Sequence, residues 1–199
     1  MSEHPLPPAE KKEVALLGMW VFLGSETLFF GALFLALAVY RHLFPEALSE
    51  GTRHLRFGLG TLNTAVLLTS SFTMALAGQK GARHAGALLH ATAALGVIFL
   101  GVKAVEYAGE WNEGLVPGLH LAPGTPPHVA LFFCFYFFLT GIHAVHLTIG
   151  IGLTEWLAFK LPIDANERER STEVAGLYWH FVDLVWVFLY PALYLWGKA

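Results

Sequence analysis

The chain has 199 residues, of which 55% are hydrophobic and only 14% charged, with a mean hydropathy of +0.55. A soluble domain of this size needs more charge to cover its surface, so the composition excludes one and defines an integral membrane protein. The net charge of −3 with scattered basic residues argues against nucleic-acid binding, and the single cysteine, Cys134, excludes a disulfide framework and a cysteine metal motif.

Five apolar stretches reach the length of about 20 residues that a spanning helix needs: residues 16–40, 58–77, 85–107, 130–159 and 177–196. Backbone groups in lipid must be satisfied internally, and the runs lack strict alternation, so they are helices rather than barrel strands. The expected fold is an all-α integral membrane protein, one five-helix domain over 16–199 preceded by a flexible tail over 1–15. Ala36-Leu37-Ala38 resembles a cleavage site, but the run before it is too long for a signal core, and the first stretch is expected to be a permanent helix. Lys11, Lys12, Lys80, Arg83, Lys160, Arg168 and Arg170 fall on one side and Arg41, Arg53, Arg56 and Lys198 on the other. The expected orientation is N-terminus cytoplasmic, C-terminus outside.

In the first helix Glu26 shares a stripe with Met19, Phe22, Phe29, Phe30 and Leu33. It is either a proton-active acid or a carboxyl that hydrogen-bonds a neighbouring helix. The second helix carries Thr61, Asn63, Thr64, Thr69, Ser70, Ser71 and Thr73, groups that bond their own backbone or join helices. In the third, His90, Ala94, Val97, Gly101 and Ala104 form a stripe whose small residues allow close approach. Lys103 and Glu106 point elsewhere, spaced for an ion pair near the interface.

The fourth helix aligns Tyr136, Thr140, His143, His146, Gly150 and Thr154, with Phe137, Phe138, Val145 and Ile149 facing lipid. His143 and His146 could bind a metal or a haem, but no Glu-x-x-His arrangement accompanies them. The fifth gathers Trp179, His180, Asp183, Trp186, Tyr190 and Tyr194 on one side and Leu184, Val185, Phe188 and Ala192 on the other. Charge in hydrocarbon costs about 2.5–3.5 kcal/mol on insertion scales, so His180 and Asp183 must face protein or water, as an interhelical network or a proton relay.

Several strings together resemble one family. They are Tyr178-Trp179-His180-Phe181-Val182-Asp183-Leu184-Val185-Trp186, Leu139-Thr140-Gly141-Ile142-His143-Ala144-Val145-His146, Gly18-Met19-Trp20 with Ser25-Glu26 and Phe29-Phe30, Leu62-Asn63-Thr64 with Thr69-Ser70-Ser71, and Glu106-Tyr107. The chain resembles subunit III of the haem–copper terminal oxidases, the cytochrome c oxidase subunit III family, over nearly its whole length. The mitochondrial-type member has seven helices, and this chain matches the last five. The resemblance therefore implies that the two-helix arm, which elsewhere encloses a lipid-filled cleft, is supplied by another subunit or leaves the cleft open.

The resemblance implies an accessory, non-catalytic role without haem, copper or other metal in this chain. Subunits I and II hold the redox centres, and subunit III packs on subunit I and supports proton uptake and sustained turnover. A small subunit IV and bound phospholipid are further partners it admits, in a bacterial cytoplasmic membrane. It casts Glu26, His90, Glu106, His143, His146, His180 and Asp183 as a buried polar network, with Trp20, Asn63, Tyr107, Tyr178, Trp179 and Trp186 as packing positions. A quinol oxidase and a nitric oxide reductase-associated homologue share the pattern. A stand-alone transporter or b-type cytochrome is the remaining alternative outside the family, and it would need a broken helix or a ligand cavity.

Overall fold

The structure, a computed structural model, describes residues 8–79, 82, 84–162 and 164–197. Six α-helices follow in order: α1 Pro8–Leu43, α2 Pro45–His54, α3 Phe57–Ala77, α4 Ala85–Asn112, α5 Pro127–Phe159 and α6 Ala165–Tyr190. Between α4 and α5 lies a two-stranded hairpin, β1 Leu115–Val116 and β2 His120–Leu121. The helices α1, α3, α4, α5 and α6 are each long and apolar enough to cross a membrane. Residues 1–7 of the expected tail, Lys80, Arg83, Lys198 and the side chain of Lys11 lie outside the described residues.

Several boundaries differ from the sequence expectation for identifiable reasons. α1 begins at Pro8, so residues 8–15 are helical rather than an unstructured tail. Lys12 anchors this turn to α6 through Glu169 at 3.2 Å and Glu173 at 2.8 Å. α6 likewise starts at Ala165 rather than 177, because Asp164 caps it by accepting from the amides of Asn166 (3.0 Å) and Glu167 (2.9 Å). Both extensions are polar and carry the two helices beyond the apolar segment together.

α1 ends before Phe44, which Pro45 forces out of helical geometry (φ −133°, ψ 59°). Pro45 then opens α2, a short helix that buries Leu48, Gly51 and Thr52. A side chain at Gly51 would collide with the Phe132 ring, so its absence sets how closely α2 lies on α5. The hairpin was not anticipated. It pairs Leu115 with Leu121 and Val116 with His120 across Pro117-Gly118, where Gly118 takes φ 77° as the third residue of a type II turn.

α6 passes into a π-helical turn at Pro191–Leu195. Proline supplies no amide hydrogen, and the Trp196 amide bonds back five residues to the Pro191 carbonyl at 3.1 Å. The wide turn lies where Tyr194 enters the bundle, fully buried.

The core is aromatic. Phe99, Phe132, Phe133, Tyr136, Trp179, Trp186 and Tyr194 are all at most 1% exposed. Trp179 fits between two glycines, because a Cβ on Gly96 would press on its ring at 2.9 Å and one on Gly150 at 3.3 Å. Close approach in α4 is therefore made at Gly96. The stripe of His90, Ala94, Val97, Gly101 and Ala104, expected to make it, is exposed. The inward stripe is Leu89, Ala93, Gly96, Phe99, Lys103, Glu106 and Glu110, turned to the core by the bulk and polarity that neighbouring helices can satisfy.

Candidate functional site

Three polar clusters and one isolated histidine occupy the bundle. The most deeply buried cluster joins α4, α5 and the π turn. Lys103 Nζ donates to Glu106 Oε2 at 2.9 Å, Tyr136 Oη at 2.9 Å and Tyr194 Oη at 2.7 Å. Tyr194 Oη donates in turn to Glu106 Oε1 at 2.8 Å. All three ammonium hydrogens are thus used, and the Lys103 and Glu106 side chains are 4% and 0% exposed. The Tyr136 ring centroid lies 4.5 Å from Nζ, and Tyr107, Trp186 and Tyr194 complete an aromatic cage at 5.3, 5.4 and 5.3 Å.

One turn further along, Glu110 is 4% exposed with neither carboxyl oxygen hydrogen-bonded. The Tyr136 hydroxyl faces it without reaching hydrogen-bond geometry. The ion pair that the Lys103/Glu106 spacing suggests does form, buried within the bundle. Its remaining members, Tyr136, Tyr194 and Glu110, went unassigned as site residues. The Lys-x-x-Glu-x-x-x-Glu spacing that places all three charges on one side of α4 was the available signal.

The second cluster docks α1. Glu26 Oε2 lies 3.1 Å from His146 Nε2, with both side chains less than 20% exposed. His146 Nδ1 lies 2.9 Å from the Ile142 carbonyl, which can only accept, so Nδ1 carries a hydrogen. The Glu26–His146 contact then holds one proton, on the ring as an ion pair or on the carboxyl as a neutral pair. Tyr178 Oη donates to the His146 carbonyl at 3.0 Å, and Phe30 packs edge-on against the imidazole at 5.2 Å. Glu26 is thereby a carboxyl bonded to a neighbouring helix, and this geometry equally suits proton exchange.

The third cluster runs along the seam between α3 and α6. Trp179 Nε1 donates to Ser70 Oγ at 3.1 Å and Trp186 Nε1 to Thr64 Oγ1 at 3.1 Å. Ser71 Oγ bonds His180 Nδ1 at 2.8 Å and Thr61 Oγ1 bonds Tyr190 Oη at 2.7 Å on the outer side of the same seam. Asp183 is 4% exposed with neither oxygen hydrogen-bonded, and the Ser71 hydroxyl faces it. Asn63 donates to the Phe99 carbonyl at 3.3 Å, tying α3 to α4.

The seven residues expected to form one buried network are therefore distributed. Glu106, His143 and Asp183 are buried, Glu26 and His146 are half-buried, and His90 and His180 are exposed. His90 pairs with Glu155 at 2.8 Å on the outer side of α4 and α5. His143, although 1% exposed, bonds to nothing through either nitrogen; it is wedged against Phe99 (5.7 Å) and Trp186 (5.2 Å). His143 and His146 turn toward different surroundings, and among the described residues no three His, Cys, Asp or Glu side chains converge.

Of the packing positions, Asn63, Tyr178, Trp179 and Trp186 are buried and Tyr107 is half-buried, bonded to Thr140. Trp20 is 60% exposed, on the side of α1 away from the buried stripe of Leu23, Phe30, Leu37 and Tyr40. Phe138, Val145 and Ile149 face outward as expected, whereas Phe137 is half-buried against the rings of Tyr107 and Tyr136. Leu184 and Phe188 also face outward, whereas Val185 and Ala192 are buried, since α6 is packed on more than one side.

Five apolar helices stitched by internal polar clusters define a multi-pass helical membrane protein. The family model for cytochrome c oxidase subunit III matches residues 9–198. The chain is similar to cytochrome c oxidase subunit 3 of Synechocystis sp., with 34% identity over 191 residues, covering 92% of this chain and 76% of that one. It is 28% identical over 189 residues to a probable quinol oxidase subunit 3 of Staphylococcus haemolyticus, covering 92% and 89%. It is 33% identical over 206 residues to a haem–copper oxidase subunit I+III of Aeropyrum pernix, covering 97% of this chain and 24% of that one. The chain belongs to the cytochrome c oxidase subunit III family and is a subunit III of a haem–copper oxidase.

Proposed function

We propose that this chain is the accessory, non-redox subunit of a cytochrome c oxidase in a bacterial cytoplasmic membrane. It packs on the haem-bearing subunit I, with subunit II in the same complex, and it steadies subunit I and its proton uptake during turnover. The observation that carries this reading is that Lys103, Glu106, Glu26 and His146 are engaged with one another, while His143 is walled by aromatic rings. Such groups hold helices in register. The Aeropyrum relative's name joins subunits I and III, which supports subunit I as the main neighbour here. Haem and copper then belong to the partners, and a small subunit IV and phospholipid fill the remaining surface.

The odd number of candidate spans among the described residues supports termini on opposite sides of the membrane, and the lysine and arginine distribution favours an N-terminus in the cytoplasm. The test is purification of the complex, followed by separation of this chain. Haem-bearing subunit I should co-purify, and the separated chain should show neither a haem spectrum nor stoichiometric copper. A haem or copper retained by the separated chain would defeat the proposal. A quinol oxidase is the second reading, favoured by the Staphylococcus relative. A companion subunit II with or without a dinuclear copper motif decides between them.

A further inference from the structure

Hydrogen supply in the cluster between α4, α5 and the π turn is uneven. Lys103 Nζ gives its three hydrogens to Glu106 Oε2, Tyr136 Oη and Tyr194 Oη, and the Tyr194 hydroxyl gives its own to Glu106 Oε1. Glu106 therefore receives a donor on each oxygen, and Glu110 receives none on either. The two carboxyls lie one turn apart on α4 and are 1% and 4% exposed. The hydrogen of Tyr136 Oη alone in this cluster has no acceptor among the described residues, and that hydroxyl faces Glu110.

Charge is uneven in the same way. Two carboxyls share one cation, and that cation touches only Glu106. A buried carboxylate with neither a donor nor an adjacent cation is far more costly than the neutral acid. The titratable groups around the cluster do not correct the imbalance. Glu113, the next acid along α4, pairs with His54 of α2 at 3.5 Å, both more than 40% exposed. Arg56, ahead of α3, lies against Gly109 and is exposed. The Tyr107 hydroxyl is taken by Thr140, and His143 of α5 is walled by Phe99 and Trp186.

We propose that Glu106 and Glu110 share one exchangeable proton, which rests on Glu110 while Glu106 is ionised beside Lys103, so that the cluster is a proton-exchange site within this chain. The two carboxyls then titrate as a pair. Exchange needs no other reactant. Glu106 Oε2 takes a hydrogen from Lys103 Nζ, Lys103 regains one from Tyr136 Oη, and Tyr136 regains one from Glu110. An O–H bond breaks on Glu110 and one forms on Glu106, while Lys103 and Tyr136 end as they began. Glu110, once ionised, serves the Lys103 cation through the Tyr136 hydroxyl that Lys103 contacts at 2.9 Å.

Infrared difference spectra of the purified complex test this, because a carboxylic acid has a carbonyl band that a carboxylate lacks. Glu110→Gln is expected to remove one acid band and no carboxylate band. Glu106→Gln is expected to remove the same acid band, because Glu110 must then ionise to serve Lys103. Loss of a carboxylate band in Glu110→Gln would overturn the proposal, as would an acid band of Glu110 that survives in Glu106→Gln. Thermal release of the chain from the complex gives a second reading. Glu110→Gln should melt within about 4 °C of the unaltered complex. The double variant Glu106→Gln/Glu110→Gln leaves Lys103 with no carboxylate and should melt lower than the two single losses sum to, by about 6–20 °C. Additive losses would show two independent groups and end the idea of a shared proton.

Discussion

Replacing Lys103 by Met removes the only cation from the buried cluster while roughly keeping its volume. Three hydrogen bonds disappear, and the Glu106 carboxylate, 0% exposed, keeps only the Tyr194 hydroxyl. Removing one partner of a buried pair typically costs about 3–5 kcal/mol, because the other charge is stranded. For a chain of this size each kcal/mol corresponds to about 2–4 °C, so the complex should release or unfold this subunit about 6–20 °C lower. The double variant Lys103→Met/Glu106→Gln removes both charges and should recover most of that loss. Differential scanning fluorimetry of the purified complex, with loss of the chain followed on gels, reads both. If the double variant is as unstable as the single, or the single is unaltered, the pair is not a mutually compensated buried charge pair and the reasoning fails.

Three further outcomes follow from the packing. Gly96→Ala puts a Cβ 2.9 Å from Ile151 and Trp179 and should destabilise by about 1–3 kcal/mol, whereas Gly101→Ala meets nothing within 4 Å and should be silent in the same thermal assay. Asp164→Ala removes the cap of α6 and should cost about 0.5–2 kcal/mol, seen as faster hydrogen exchange at residues 166–173 with no change deeper in the helix. A hydrophobic carbodiimide should modify Glu26, 19% exposed beside His146, well ahead of Glu106 at 0%, and peptide mapping that finds Glu106 labelled first would reverse their assigned accessibilities.

The number of membrane-spanning helices and the class were legible because twenty apolar residues in lipid leave the backbone few alternatives, whereas the short α2 carries no such signal. Boundaries were less so. The polar first turns of α1 and α6 carry no hydrophobic signal, and they are held helical by the Asp164 cap on α6 and by the Lys12 bridges to Glu169 and Glu173. The wheel of α5 was read correctly at Tyr136, Thr140, His143 and Thr154, where polar and apolar positions separate cleanly. The wheel of α4 misled, because a run of small residues and a run ending in Lys103 and Glu106 are both plausible inner faces in a membrane. Only the position of Tyr136 and Tyr194, residues 33 and 91 positions away, makes the charged face the inner one. His143 and His180 show the same limit. Each lies on a polar stripe, yet one is sealed among rings and the other opens outward, a difference fixed by neighbours rather than by spacing.

The distribution of polar ties also explains how α1 stays attached. Helices in lipid gain little from burying apolar surface against one another, so a helix with few close contacts depends on specific bonds. α1 has such ties at three depths. Lys12 reaches Glu169 and Glu173 at one end, Glu26 meets His146 midway, and Tyr40 Oη donates to the His128 carbonyl at 2.9 Å toward the other end. Each tie lands on α5 or α6, the helices that also carry His143 and Trp186 into the aromatic core. Weakening only one should tilt α1 rather than release it. Of the two ion-pair ties, loss of the midway one should be felt more, because Glu26 and His146 are less exposed than Lys12, Glu169 and Glu173 and water is less able to replace them.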